Sequence, residues 1–109
     1  MRELATDRLV IALDTPGYGG SDGPDGPQGI DFYASILAAA IERLGFGAGP
    51  LGRPVLFGYH TGAVMAAQVA LLRPELVSGI VLHGFPLRTA PERQQRLEAL
   101  PRDLDVDGY

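Results

Sequence analysis

The sequence predicts an α/β fold: three parallel strands joined by two crossover helices, followed by a C-terminal helix and tail. Three observations carry that expectation. Residues 9–13, 55–57 and 77–82 are short, almost continuously apolar runs, as strands covered on both faces would be. Two helical patterns of crossover length separate them, which implies right-handed connections within one sheet. Dense Gly/Pro punctuation marks the remaining junctions.

Leu9-Val10-Ile11-Ala12-Leu13 is the first expected strand, ending at Asp14. "TPGYGGSDGPDGPQG" follows and can only be a loop. Asp31 is placed to cap a helix from Phe32 to Leu44, with Phe32, Ile36, Leu37, Ala40, Ile41 and Leu44 on one stripe. Gly45 stops it. Val55-Leu56-Phe57 is the second strand, and a second helix runs from about Thr61 to Leu72, ended by Pro74. Val77 to Leu82 is the third strand. Beyond Pro86 the composition turns polar: "ERQQRLEAL" reads as an exposed helix and "RDLDVDGY" as an acidic tail that frays. The expected division is therefore a core over residues 1–86 and, over 87–109, either a frayed tail or the start of a further segment.

The chain has 109 residues, enough for one small domain with a modest core. Without cysteine it has neither a disulfide framework nor a thiolate metal site. Its nine basic residues are all arginine, so a Schiff-base lysine and a phosphate-loop lysine are both excluded. A net charge of −4 argues against a nucleic-acid partner, which needs a basic face. "MRELATDR" has no apolar core of a signal peptide, and Ala63 to Leu72 is too short to span a bilayer. The expectation is a cytoplasmic protein with a small-molecule substrate or ligand and no membrane partner. Oligomeric state is not legible.

The most specific local signal is Gly58-Tyr59-His60-Thr61-Gly62, set between the second strand and the second helix. It has the outline of G-x-S-x-G, with histidine where that pattern has serine. A residue at such a junction is forced into a strained backbone, so a positive φ is expected at His60, with Gly58 and Gly62 leaving room for the turn.

"DTPGYGGSD", "FGYHTGAV" and "LRPELVSGIVLHGFP" together resemble the D-x-P-G-x-G-x-S-D loop, the nucleophile elbow and the following P-x-x-V strand of the α/β-hydrolase superfamily. They occur in that family's order over most of residues 5–86, and the cap-bearing branch of haloalkane dehalogenases and epoxide hydrolases is the nearest. The resemblance implies a partial α/β-hydrolase fold, with "PERQQRLEAL" where a cap would begin. It implies hydrolysis of ester, epoxide or carbon–halogen bonds in an intact form, without a cofactor, and inactivity of this chain alone. In that family a further strand lies between the D-x-P-G strand and the elbow strand. Residues 9–13 and 55–57 are therefore expected to form no ladder, while 55–57 and 80–82 pair directly.

By the same resemblance His60 occupies the nucleophile position and the Thr61 N–H faces a developing oxyanion. Tyr18, Tyr59, His83 and Phe85 line the pocket. At a helix N-terminus His60 should lean neutral, able to act as base or nucleophile. The alternative is a non-catalytic member in which His60 fills the slot, hydrogen-bonded to Tyr18 or His83, and the pocket binds a ligand or partner. "HGFP" at His83 mimics the family's oxyanion loop but follows the elbow helix, where the next strand belongs. Asp14 reads as a brace for its loop rather than a base or metal ligand, and Asp22 likewise. The third glycine of a dinucleotide-binding G-x-G-x-x-G falls on Asp22, which disfavours a pyrophosphate. Two separated histidines do not make a metal site.

Overall fold

The computed structural model describes residues 2–99. A one-turn 3-10 helix, Leu4–Thr6, and a long irregular segment precede α1 (Ile30–Arg43). β1 (Val55–Tyr59) leads into α2 (Thr61–Leu72), and a 3-10 turn at Pro74–Leu76 leads into β2 (Gly79–His83). α3 (Ala90–Glu98) follows. β1 and β2 pair in parallel with Leu56 opposite Ile80 and Phe57 opposite Val81, the direct pairing expected.

α1 begins two residues earlier than a cap at Asp31 would place it. Gly29 is the N-cap, and Asp31 lies inside the first turn. The Asp31 carboxylate accepts a hydrogen bond from Gln68 Nε2 of α2 at 2.7 Å, tying the two helices while sitting favourably at the positive end of the α1 dipole. The buried stripe also differs from the expected one. Ala34, Ala38 and Ile41 are buried, whereas Ile36 and Leu44 are exposed. Small alanines let α1 approach α2 closely, so the stripe follows the smallest side chains rather than the largest. Gly45 ends the helix as expected. Its φ is +91°, its N–H donates to the Glu42 carbonyl, and the Phe46 N–H donates to the Ile41 carbonyl. That is a Schellman motif, completed by the packing of Phe46 against the core cluster that holds Ile41.

α2 is apolar nearly all round, as suits a helix between a sheet and another helix. Val69 at its centre is fully buried among Ala34, Ala38, Ile41, Leu76 and Val77. Leu56 packs on that cluster, and Gly58 is buried on the same side of β1. Side chains alternate along a strand, so Val55, Phe57 and Tyr59 point the other way. They are 59%, 62% and 56% exposed. Val81, opposite Phe57, is exposed beside them. Helices thus cover one face of the sheet and leave the other face bare.

Leu9–Leu13 is the one strand expected from the sequence that does not form. The segment has no regular secondary structure, and the sheet has two strands. Leu9, Ile11 and Leu13 are exposed. Apolar runs record burial, whereas a ladder needs a neighbour in register, and among the described residues none offers one. Residues 9–13 and 55–57 form no ladder, but the open slot between two strands that the superfamily arrangement implied is not formed either, since 9–13 is no strand.

Asp14, just after this segment, braces its loop as expected. Its carboxylate accepts the Gly20 N–H at 2.9 Å, and its carbonyl accepts the Ser21 hydroxyl. Gly19 has a φ of +54°, and a Cβ there would collide with the Asp14 carboxylate. For Asp22 it is the carbonyl that ties the loop, accepting the Gly17 N–H.

α3 matches the exposed helix read from "ERQQRLEAL", with every residue accessible. Its start is a full capping box, the Thr89 hydroxyl accepting the Glu92 N–H and the Glu92 carboxylate accepting the Thr89 N–H. The acidic "RDLDVDGY" tail lies outside the described residues. No described helix is long and apolar enough to cross a membrane.

Candidate functional site

The carboxyl ends of β1 and β2 meet at Tyr59, His60, His83 and Gly84. Parallel sheets gather ligands at this end, because crossovers leave it open and helix N-termini point toward it. Three constraints fix His60 there. Its N–H donates to the His83 carbonyl at 2.9 Å, joining the ends of the two strands. Its own carbonyl accepts the N–H groups of Ala63 and Val64, starting α2. Its backbone has φ +50° and ψ −114°, and it is the non-glycine residue with positive φ among those described. That conformation costs about 1–3 kcal/mol, which the packed strand and helix on either side must offset.

Gly58 makes the turn possible. A Cβ there would stand 2.4 Å from the Gly62 carbonyl oxygen and 2.5 Å from Ala63 Cα. The second glycine behaves otherwise: a Cβ on Gly62 would meet nothing within 4 Å, and its φ is not positive. The expectation that both glycines leave room for the turn is corrected to Gly58 alone. Gly58 faces the helix it precedes, while Gly62 already lies on the accessible side of that helix.

The aromatic rings form a short stack. Tyr59 lies nearly parallel to His83 with centroids 5.1 Å apart, and edge-to-face with His60 at 4.2 Å. The parallel register places Tyr59 directly opposite His83, so this stack follows from strand pairing. His60 contacts His83 through backbone rather than through a side-chain hydrogen bond, and no hydrogen bond joins it to Tyr18 among the described residues. Tyr18 is exposed on the Asp14 loop, with its N–H donating to the Thr15 carbonyl. Phe85 is half-buried two residues beyond His83. The structure therefore brings Tyr59, His60 and His83 together, with Thr61 next in the chain. Tyr18 and Phe85 have no ring contact with that group.

Sequence reasoning overlooked Gly84. With a φ of +68°, it sits where a Cβ would lie 3.3–3.5 Å from the Cε1, Nε2 and Cδ2 atoms of His60. The only sequence signal was a glycine directly after an apolar strand, and "HGFP" drew attention to its histidine instead.

The Arg73 guanidinium, hydrogen-bonded to Glu75, holds that carboxyl below the usual range, and Arg8 does the same to Asp7. The Thr89 N–H lowers Glu92 in the same way. Among the described residues no three His, Asp or Glu side chains converge to hold a metal. A concavity of about 770 Å³ lies at the opposite end of β1, between Phe46, Gly47, Arg53, Arg73 and Glu42. Its Arg73 is already held by Glu42 and Glu75, and none of its walls comes from a strand's carboxyl end. Chemistry favours the His60 end of the sheet over this hollow.

The strand–turn–helix geometry agrees with a family comparison. A model of the alpha/beta hydrolase fold matches residues 1–106. The chain belongs to the α/β-hydrolase family. Among curated proteins it is similar to epoxide hydrolase 4 of Homo sapiens, 30% identical over 88 residues, which are 79% of this chain and 23% of that protein. It is 35% identical over 79 residues to the pimeloyl-[acyl-carrier protein] methyl ester esterase of Klebsiella pneumoniae, covering 72% of this chain and 27% of the esterase. It is also 32% identical over 97 residues to the 1-acylglycerol-3-phosphate O-acyltransferase ABHD5 of Rattus norvegicus, covering 86% of this chain and 27% of that protein. The chain thus spans about a quarter of the length of these α/β-hydrolase relatives.

Proposed function

We propose that the β1–α2 junction is the nucleophile elbow of a hydrolase-type site, with His60 in the nucleophile position and the Thr61 N–H as an oxyanion donor. The observation that supports it is the positive φ of His60 between a parallel strand and the helix that follows. Strain of this kind persists where the surrounding structure over-determines it, and an elbow is one place that exploits it. Thr61 is the first residue of α2, so helix geometry leaves its N–H without an intrahelical partner and free for a ligand oxygen. Tyr59 and His83 form one wall of the mouth, with Tyr18 and Phe85 further along it. In a protein of the relatives' length, the substrate class is an ester, epoxide or carbon–halogen compound, and no cofactor takes part. There the His60 imidazole would attack the substrate or take a proton from water.

A second reading applies to this chain by itself, and a specific observation favours it. No carboxylate accepts a hydrogen bond from the His60 imidazole, and no hydroxyl is bonded to it, among the described residues. A nucleophile or base needs such a partner to set its tautomer and to stabilise the charge it acquires. The chain alone therefore binds a small ligand at the elbow without turning it over. Loss of one oxyanion donor costs ~10²–10³ in rate before a missing base partner is counted.

Turnover of p-nitrophenyl acetate by the purified chain and by His60→Ala tests both readings. No difference between the two is expected from the chain alone, together with saturable amide shifts at Thr61 when a non-hydrolysable ketone analogue is titrated. Ester turnover abolished by His60→Ala would show an active enzyme. Absence of any shift at Thr61 would remove the ligand site.

A further inference from the structure

We propose that Gly84 is a positioning residue for His60: the missing side chain at the end of β2 is what makes room for an imidazole at the elbow. This rests on the reading of position 60 as the functional position. It adds the device that accommodates histidine there, a side chain far larger than the serine of the G-x-S-x-G pattern.

The geometry separates two demands on Gly84. Its φ of +68° is one, since an L side chain is strained in that region whatever the space around it. The other is contact. A Cβ would stand 3.3 Å from His60 Cε1, closer than most Cβ contacts, and at ordinary contact distance from Nε2 (3.4 Å) and Cδ2 (3.5 Å), so it would press on the ring at Cε1 and touch the rest of its distal edge. That edge carries Nε2, the nitrogen farthest from the backbone and the one a ligand would meet first. The other constraints on His60 act on its backbone, through the His83 carbonyl and the start of α2. Tyr59 meets the ring edge-to-face from one side. Gly84 adjoins the distal edge of the imidazole, while Tyr59 meets the ring from its side.

Because the ring is the free end of a side chain, it yields before the backbone does. Gly84→Ala is therefore expected to move the imidazole by a few tenths of an ångström rather than to break the fold. Gly52 supplies the matched control. Its φ is +74°, and a Cβ there would meet nothing within 4 Å, so Gly52→Ala imposes a similar backbone strain without touching a ring.

The test is side-chain NMR of the full chain. In Gly84→Ala the His60 Hε1 resonance should shift and its cross-peak to the Tyr59 ring should weaken, and both should be unchanged in Gly52→Ala. An unmoved His60 Hε1 in Gly84→Ala, or an equal shift in the two variants, overturns the proposal. Should Gly84→Ala fail to fold, His60→Ala/Gly84→Ala decides. Recovery of the fold in the double variant supports the contact with the ring. Failure there too would show that Gly84 serves backbone conformation alone. None of these readouts uses turnover, so an absence of esterase activity leaves the proposal standing or falling on its own.

Discussion

The two faces of the β1–β2 sheet carry similar side chains and meet opposite fates. On one face Leu56 packs against α1 and α2 around a fully buried Val69. On the other, Val55, Phe57, Tyr59 and Val81 stand in solvent. The difference lies in topology. The β1–α2–β2 crossover lays α2 on one face of the sheet, α1 packs on α2 rather than on the strands, and α3 brings a polar surface that packs on neither strand. Strand composition therefore anticipates two covered faces, and the described residues cover one of them. The finished face is also the one that holds His60 in place, because α2 starts directly after His60.

This contrast is most easily broken by mutation on its two sides. Ile41→Ala removes a buried side chain from the α1–α2 layer and should cost about 2–5 kcal/mol in urea unfolding. Phe57→Ala removes a larger side chain from the bare face and should change stability by no more than about 0.5 kcal/mol. Similar losses from both would mean that the bare face is covered in solution.

A smaller difference is expected between the two glycines that flank His60. Gly58→Ala drives a Cβ into Gly62 and Ala63 backbone and should cost about 1–3 kcal/mol, the usual penalty of overpacking. Gly62→Ala meets open space on a helix and should stabilise by up to about 1 kcal/mol. Equal thermal shifts in the two variants would contradict the turn geometry.

The smallest effect concerns α3, which packs on no other described helix or strand and begins with a capping box. The Thr89 N–H lowers the Glu92 pKa, so the folded helix holds the proton less tightly than the unfolded chain. The cap's contribution is then fully present above the unfolded value of Glu92. It is lost as pH falls through the lower, folded value. Helical chemical shifts of residues 90–98 should decline over that acidic window and not above it, and Glu92→Gln should remove the dependence.

Much of this was legible in the sequence, for identifiable reasons. Gly45 as the end of α1, the strand–helix junction at His60 and the Asp14 brace each depend on local chemistry that a few residues encode. Asp31 was misplaced because a carboxylate near a helix start suits both the cap and the first turn, and its choice depends on Gln68, 37 residues away. The α1 stripe was rotated because periodicity counts apolar size, whereas the α2 surface selects alanines. Leu9–Leu13 is apolar like a strand, but strandhood depends on a neighbour. Gly84 was invisible for the same reason: its role appears only when parallel pairing brings the ends of β1 and β2 together.

Amide hydrogen exchange separates the closed layer from the open one most directly. Residues 79–83 and the β1 amides bonded to them should be protected together with Ala66 to Ala70 of α2. The amides of 9–13 should exchange near the rate of an unstructured chain. Protection of 9–13 equal to that of β1 would contradict this, since it would require a third paired strand beside a sheet that has two.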